Sequence, residues 1–301
     1  MQMTACSKIV KSVFENAHAL NSGHFIPYLG LGTYLSLDNN VKRSVADAVA
    51  CGYRMIDTAK YYHNEAEIGE ALQRVLPANN LKRKDIFLTT KVMPQATTSL
   101  THEDVEDSLK RLSTDYLDLV LVHYPRNYDN CEDNDPRNRE QRRNCWIALQ
   151  EIQANGKIRS IGVSSYEPRH IEEMMEYSNA YPSVNQQEIH PHFQRNELRD
   201  YCLKNGIFFQ AFSPLGRASG ELLNDPVVQK VAKTHKTTAA VILLRWSIQK
   251  GVGVVPKSIN TQRIAENFKA LSLELDEKEM EALNGLDQEK PYVEDCGWLV
   301  A

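Results

Sequence analysis

Short apolar runs alternate with longer amphipathic stretches along almost the whole chain. The runs IPYLGLGTY (Ile26–Tyr34), YRMIDTA, IFLTTKV, LDLVLVHY, IRSIGVSSY, SVNQQEI, IFFQAFSPLG and GVGVVPKS read as strands. Between and after them, NNVKRSVADAVACG, NEAEIGEALQRVL, THEDVEDSLKRL, QRRNCWIALQEIQANG, EPRHIEEMMEYS, RNELRDYCLKNG, Thr238–Lys250 and TQRIAENFKAL read as helices. Gly52 and Gly156 stop two of them, and Thr101 with Asp104 is set as a capping box for a third. NSGH (Asn21–His24), between short mixed runs, predicts a hairpin turn ahead of the series. Two more helices, one from Asp225 and one in DEKEMEALNGL, stand outside the alternation.

Strands alternating with helices imply a parallel sheet, and eight such units imply a closed (β/α)8 TIM barrel. The expectation is one α/β domain over residues 1–301, with an N-terminal β-hairpin and two extra helices. An open doubly wound sheet is the competitor, but the chain shows no split into halves and no linker. The polar stretch Pro125–Glu140 reads as a long loop after strand four, overhanging the active face.

In a barrel of this kind the chemistry sits at the C-terminal ends of the strands. The polar residues expected there include Asp57, Lys91, His123, Ser164, Ser165, Gln186, Ser213, Lys257 and Ser258. Asp57, Lys91 and His123 keep period-two parity with Met55, Thr89 and Leu121, so regular strands would bring all three to one rim. Asp57 alone fits a structural ion pair equally well. The set, joined by Tyr61 or Tyr62, suits a specific task. A tyrosine, with a free pKa of about 10, is a weak proton donor. A nearby lysine lowers that pKa, an aspartate keeps the lysine charged and oriented, and a histidine can aim a carbonyl oxygen.

Composition narrows the classes. The 301 residues carry a net charge of −4 with basic residues scattered, so no nucleic-acid footprint is present. Six cysteines form no CxxC pair and read as free thiols in a reducing compartment. The first twenty residues have no long apolar core and are broken by Lys8 and Lys11, unlike a signal peptide. No apolar run reaches membrane-spanning length, which makes the cytoplasm the default. No GxGxxG follows a strand, which disfavours a Rossmann site.

GYRMIDTAKYYHNEAEIGEAL resembles the first signature of the aldo-keto reductase superfamily, with Asp57, Tyr62, Asn64 and Glu65 in their places. The resemblance continues in order through TTKV, DLVLVHYP, IGVSSY, NQQEIHP, AFSPLG and VPKSINTQRIAEN, over nearly the whole chain. It implies a barrel reductase that uses NADPH/NADP+ and acts on an aldehyde or ketone. By resemblance Tyr62 is the general acid, Lys91 and Asp57 tune it, and His123 orients the carbonyl. Ser164, Ser165, Gln186 and Phe212 match nicotinamide positions, and Thr33, Ser213, Leu215 and Asp225 match others along the cofactor. Lys257, Ser258 and Arg263 match the grip on the 2′-phosphate, and Glu266 and Asn267 the adenine contacts. Tyr34, Tyr124 and Trp298 are expected in the substrate pocket, and Tyr61 in packing.

The chain departs from the pattern at Ser165, where relatives have asparagine, and at Met93, where many have an aromatic residue. Its tail, PYVEDCGWLVA, is shorter than in steroid-handling relatives. His190 and His192 have no evident third ligand, so they read as structural and no metal is expected. The resemblance suggests a monomer, with no nucleic-acid or membrane partner. Two other readings stay open: a cofactor-binding regulatory protein with little turnover, and a Schiff-base lyase using Lys91.

Overall fold

Eight parallel strands stand in chain order across a single sheet in the computed structural model, which describes residues 16–294 and 297–301. They are β3 (Leu31–Gly32), β4 (Met55–Asp57), β5 (Phe87–Val92), β6 (Leu117–Val122), β7 (Ile158–Ser164), β8 (Val184–Glu188), β9 (Phe208–Phe212) and β10 (Gly253–Val254). Parallel bridges Leu29 to Val254 and Gly32 to Lys257 join the two edges. Gly30 N donates to Val254 O at 2.9 Å and Gly32 N to Pro256 O at 3.0 Å across the same seam. Gly32 makes this approach possible, since a Cβ there would lie 2.5 Å from Val255 O. The sheet therefore curls into an α/β barrel.

Every residue of β5 and β6 is buried, because both faces of the sheet are covered. Alternate side chains point inward, where Met55, Phe87, Leu119, Leu121, Val184 and Phe208 fill the barrel axis. Their neighbours, such as Ile56, Leu88, Val120 and Val163, point outward against the helices and pack with Trp146 and Trp246.

Those helices are α1 (Asp38–Cys51), α2 (Glu65–Ala78), α3 (Thr98–Arg111), α4 (Arg137–Ala154), α5 (Pro168–Met175), α6 (Asn196–Lys204), α7 (Gly220–Leu223), α8 (Pro226–Thr234), α9 (Ala239–Gln249), α10 (Thr261–Phe268) and α11 (Glu277–Asn284). A two-stranded antiparallel hairpin, β1 (Ala17–Ala19) and β2 (Phe25–Pro27), lies across the N-terminal ends of the barrel strands. Its Asn21 donates to Pro182 O at 3.2 Å, Ser22 bonds Ser160 at 2.7 Å, and His18 stacks on Phe208 at 4.6 Å.

Four sequence expectations change. The run Ile26–Tyr34 is not one strand: its start pairs with β1 and its middle with β4, so it divides between two sheets. Helix α3 begins at Thr98, not at Thr101; Thr97 caps it by accepting from Leu100 N at 3.3 Å, and Thr101 is buried inside it. Helix α4 begins at Arg137, so the loop after β6 is shorter than Pro125–Glu140. The short α7 precedes α8, where only one extra helix was expected. The stretch judged unlike a signal peptide lies almost wholly outside the described residues. No helix among the described residues is long and apolar enough to cross a membrane.

Candidate active site

Strand β4 ends on Asp57, and the chain then turns tightly through Lys60–Tyr62. Lys60 fastens that turn to α3 through Asp104 at 2.5 Å and Asp107 at 3.4 Å. Asn64, fully buried, accepts from Thr58 Oγ1 at 2.7 Å and donates to Thr33 O and Ser36 O, each at 2.9 Å. Thr33 in turn donates through N and Oγ1 to Asp57 O. The loops after β3 and β4 are thus tied together beneath Tyr34 and Tyr62.

Lys91, near the end of β5, is 1% exposed. Its Nζ donates to Asp57 Oδ1 at 2.5 Å and Thr58 O at 2.9 Å, and stands 3.4 Å from the Tyr62 hydroxyl. Burial works against the ammonium, but Asp57 and Tyr62 outweigh it, and the Lys91 pKa rises above the ordinary lysine value. For Tyr62 the expected lowering does not win. Burial is the larger influence and raises the phenol pKa, with Lys91 offsetting part of the rise. Although part of the residue still meets solvent, Tyr62 is a protonated phenol throughout the neutral range.

His123 follows β6 directly, with its ring 5.4 Å from that of Tyr62. Burial, then the charge of Lys91, holds its pKa well below the ordinary value, so the imidazole is neutral. Its Nδ1 is buried and has no hydrogen-bond partner among the described residues. Asp57, Lys91, Tyr62 and His123 therefore meet at one rim.

Gln186 joins them. Its Nε2 donates to Asp57 Oδ2 at 2.8 Å and to Gln210 Oε1 at 2.7 Å. Both amide protons are committed, which leaves Oε1 as an acceptor. Ser164 is buried and in register with Gln186, and the buried Ser165 holds a left-handed φ of 59°. Phe212 packs half-buried against the barrel-axis cluster, and Leu215 packs on the outer core. The loop after β9 stores backbone strain in left-handed Ser213, Arg217 and Ala218.

Beyond β10, Lys257 and Arg263 are exposed and make no ion pair with a described residue. They flank the N-terminus of α10, which Asn260 caps, and Ser258 Oγ accepts from Asn260 N at 3.1 Å. Two free cations at a helix N-terminus fit a phosphate. Glu266 accepts from Gln262 at 2.8 Å, and Asn267 is buried. Asp225 is more committed than the sequence suggested. Oδ1 caps α8, and Oδ2 bonds His192 at 3.2 Å. His190 likewise bonds Glu188 at 3.0 Å.

An aromatic arc borders the tetrad. Tyr34 lies 5.0 Å from Tyr62, and Tyr61, 45% exposed, faces His123 and Tyr128 at 6.2 and 6.1 Å. Tyr124 stacks on Tyr128 at 4.7 Å and packs with Met93 and Val300. Trp298 lies instead against Phe193 at 5.8 Å and beneath Arg195 at 5.2 Å. Sequence reasoning missed Gln210 and Tyr128. Gln210 had a signal, a polar residue inside an apolar strand; Tyr128, in an irregular loop, had none.

Residues 29–288 match the model of the aldo/keto reductase family. The chain is 40% identical over 272 residues to an aldo-keto reductase of Mycolicibacterium smegmatis, covering 90% of this chain and 93% of the relative. It is 36% identical to the glyoxal reductase of Bacillus subtilis, covering 90% and 92%. The crystal structure of an aldo/keto reductase from Brucella melitensis superposes with a TM-score of 0.81 at 36% identity, covering 90% of this chain and 99% of that one. With the tetrad geometry and the barrel agreeing, the chain belongs to the aldo/keto reductase family.

Proposed function

We propose that the protein reduces a small aldehyde or ketone to an alcohol with NADPH, Tyr62 giving the proton. The observation that carries this reading is the buried Asp57–Lys91 pair reaching the Tyr62 hydroxyl, with neutral His123 beside it. Reduced nicotinamide, when bound, supplies the hydride. Tyr62 holds the proton at its hydroxyl, and the Lys91 ammonium stabilises the phenolate left after transfer. Asp57 keeps that ammonium charged and aimed. His123 can donate to the carbonyl oxygen, and a neutral ring does so without adding a second cation beside Lys91. Gln186 Oε1 suits the carboxamide N–H of the ring, and Lys257 with Arg263 suits the 2′-phosphate, which favours NADPH over NADH. The relative named glyoxal reductase supports a carbonyl substrate. We read the protein as a cytoplasmic monomer whose partner is a small carbonyl compound.

The lyase alternative is weakened by Lys91 itself. A Schiff base needs a free amine, and this one is held as an ammonium by Asp57. Following NADPH and NADH oxidation across a panel that includes glyoxal and 4-nitrobenzaldehyde tests the proposal. The expected result is turnover with a higher kcat/KM for NADPH. Tight NADPH binding without oxidation of the cofactor by any carbonyl would instead support a regulatory role.

A further inference from the structure

A single buried guanidinium joins two segments that pack behind the aromatic arc. Arg142, on α4, has a side chain 2% exposed. Its Nη1 donates to Pro125 O at 3.0 Å and to Ala301 O at 2.8 Å, while Nε and Nη2 grip the Glu173 carboxylate at 3.1 and 2.5 Å. Pro125 follows Tyr124, and Ala301 follows Val300. Tyr124, Val300 and Met93 form one apolar cluster, with Tyr128 packed against it.

Two residues of α5 hold the same segment from the other side. Arg169 Nη2 donates to Trp298 O at 2.6 Å and Val300 O at 2.7 Å. His170 Nε2 donates to Val300 O at 2.9 Å, while its Nδ1 accepts from Glu167 N at 3.1 Å, a pattern that requires the neutral ring. Burial lowers the His170 pKa to about 3, so the ring stays neutral at physiological pH. At the start of the segment, Gly297 lies directly on the Ser165 peptide: a Cβ there would fall 1.6 Å from Ser165 O.

These bonds use backbone carbonyls, so they fix where the segment runs whatever its side chains are. We propose that Arg142, Arg169 and His170 are positioning residues of the substrate site. They hold residues 297–301 so that buried Val300 backs Tyr124, on which the half-buried Tyr128 stacks, and so set affinity for carbonyl compounds large enough to reach that aromatic pair. None of the three touches the tetrad or is assigned to the cofactor. The inference rests on the carbonyl-reductase reading.

A purely structural clamp would affect all substrates alike, whereas a positioned aromatic pair discriminates by size. Arg169 is exposed, so Arg169→Ala removes two bonds to the segment without emptying the core. It is expected to raise KM for 4-nitrobenzaldehyde about fivefold, with KM for glyoxal, kcat for both and the NADPH Kd from tryptophan fluorescence all within about twofold. Arg169→Lys, which keeps a donor, should recover most of the loss. Arg142→Lys, which loses the fork, should show the same size-selective pattern more strongly. Hydrogen exchange in the Arg169→Ala protein should rise over residues 297–301. Equal shifts for the two substrates, or no shift for either, would overturn the inference. Wild-type protein that oxidises NADPH with neither carbonyl would refute the reading beneath it, a different result from an active enzyme whose variant fails to discriminate.

Discussion

Asp118 at the floor of the barrel and Asp57 at its mouth are both buried carboxylates facing cations, and they differ in what the groups around those cations leave unpaired. At the floor, Asp118 accepts from Leu88 N at 3.0 Å and pairs with Arg83 and Arg159, each at 2.8 Å. Arg83 also donates to Thr114 Oγ1, Ile86 O and Tyr116 O, and both guanidiniums lie over the Tyr116 ring at 4.2 and 4.0 Å. At the mouth, Lys91 reaches Tyr62 only at 3.4 Å, and His123 Nδ1 has no partner among the described residues. Saturated charge at one end holds the strands in place. At the other end, the buried His123 Nδ1 keeps hydrogen-bonding capacity that no described residue uses.

The sharpest test of that contrast is Tyr62→Phe. Removing the proposed proton donor should cut kcat by about 10²–10⁴-fold with NADPH binding retained. Tyr61→Phe, one residue away but facing His123 and Tyr128 edge-on or tilted, should keep most activity. Steady-state rates and fluorescence titration of the two variants decide it; the reverse pattern would mean the wrong ring has been assigned.

A second comparison separates stability from rate. Asp118→Ala leaves two guanidiniums that solvent can reach, 22% and 36% exposed, and should destabilise the fold by about 1–3 kcal/mol, read from urea midpoints, with kcat little changed. Asp57→Asn keeps the side-chain volume and should lower kcat more than it lowers the urea midpoint. If both variants lost rate and stability in the same proportion, the distinction between the two ends would fail.

The smallest expected effect is acid sensitivity. His123 at the mouth is held well below its ordinary pKa by burial and Lys91. His24 near the floor is also lowered by burial and Arg159, but Asp118 opposes the shift. As pH falls below about 6.5, the unfolded chain takes up protons that the folded chain refuses, so stability falls, by up to about 1.4 kcal/mol per pH unit for the buried His123 and by much less for the exposed His24. Above that pH both rings are neutral in both states and contribute nothing. His123→Gln should therefore flatten the acid limb of the stability profile more than His24→Gln does.

The barrel was legible in the sequence because it depends on local signals: period-two runs, amphipathic helices and the glycine stops. The meeting of Asp57, Lys91 and His123 was legible too, since strand parity and neighbouring strand order suffice to bring them together. Helix starts were less so. Thr97 and Thr101 are both credible caps, and burial of Thr101 inside α3 decides between them. The Gln186–Asp57 bond spans strands on opposite sides of the barrel, and Arg142 links α4 to residues 125, 173 and 301, so neither follows from local spacing. The net rise of the Tyr62 pKa was missed for a similar reason: charge is visible in a sequence, and desolvation is not.

The hairpin across the floor bears on proton traffic. With β1 and β2 seated on Pro182, Ser160 and Phe208, and apolar side chains filling the barrel axis above, the described residues close the floor of the barrel and leave the mouth as its open end. On the proposed mechanism, a proton given up by Tyr62 would be replaced from solvent through the same opening by which the alcohol would leave. Recharging the acid and emptying the site would then share one doorway, and each proposed turnover would have to complete both before the next carbonyl could enter.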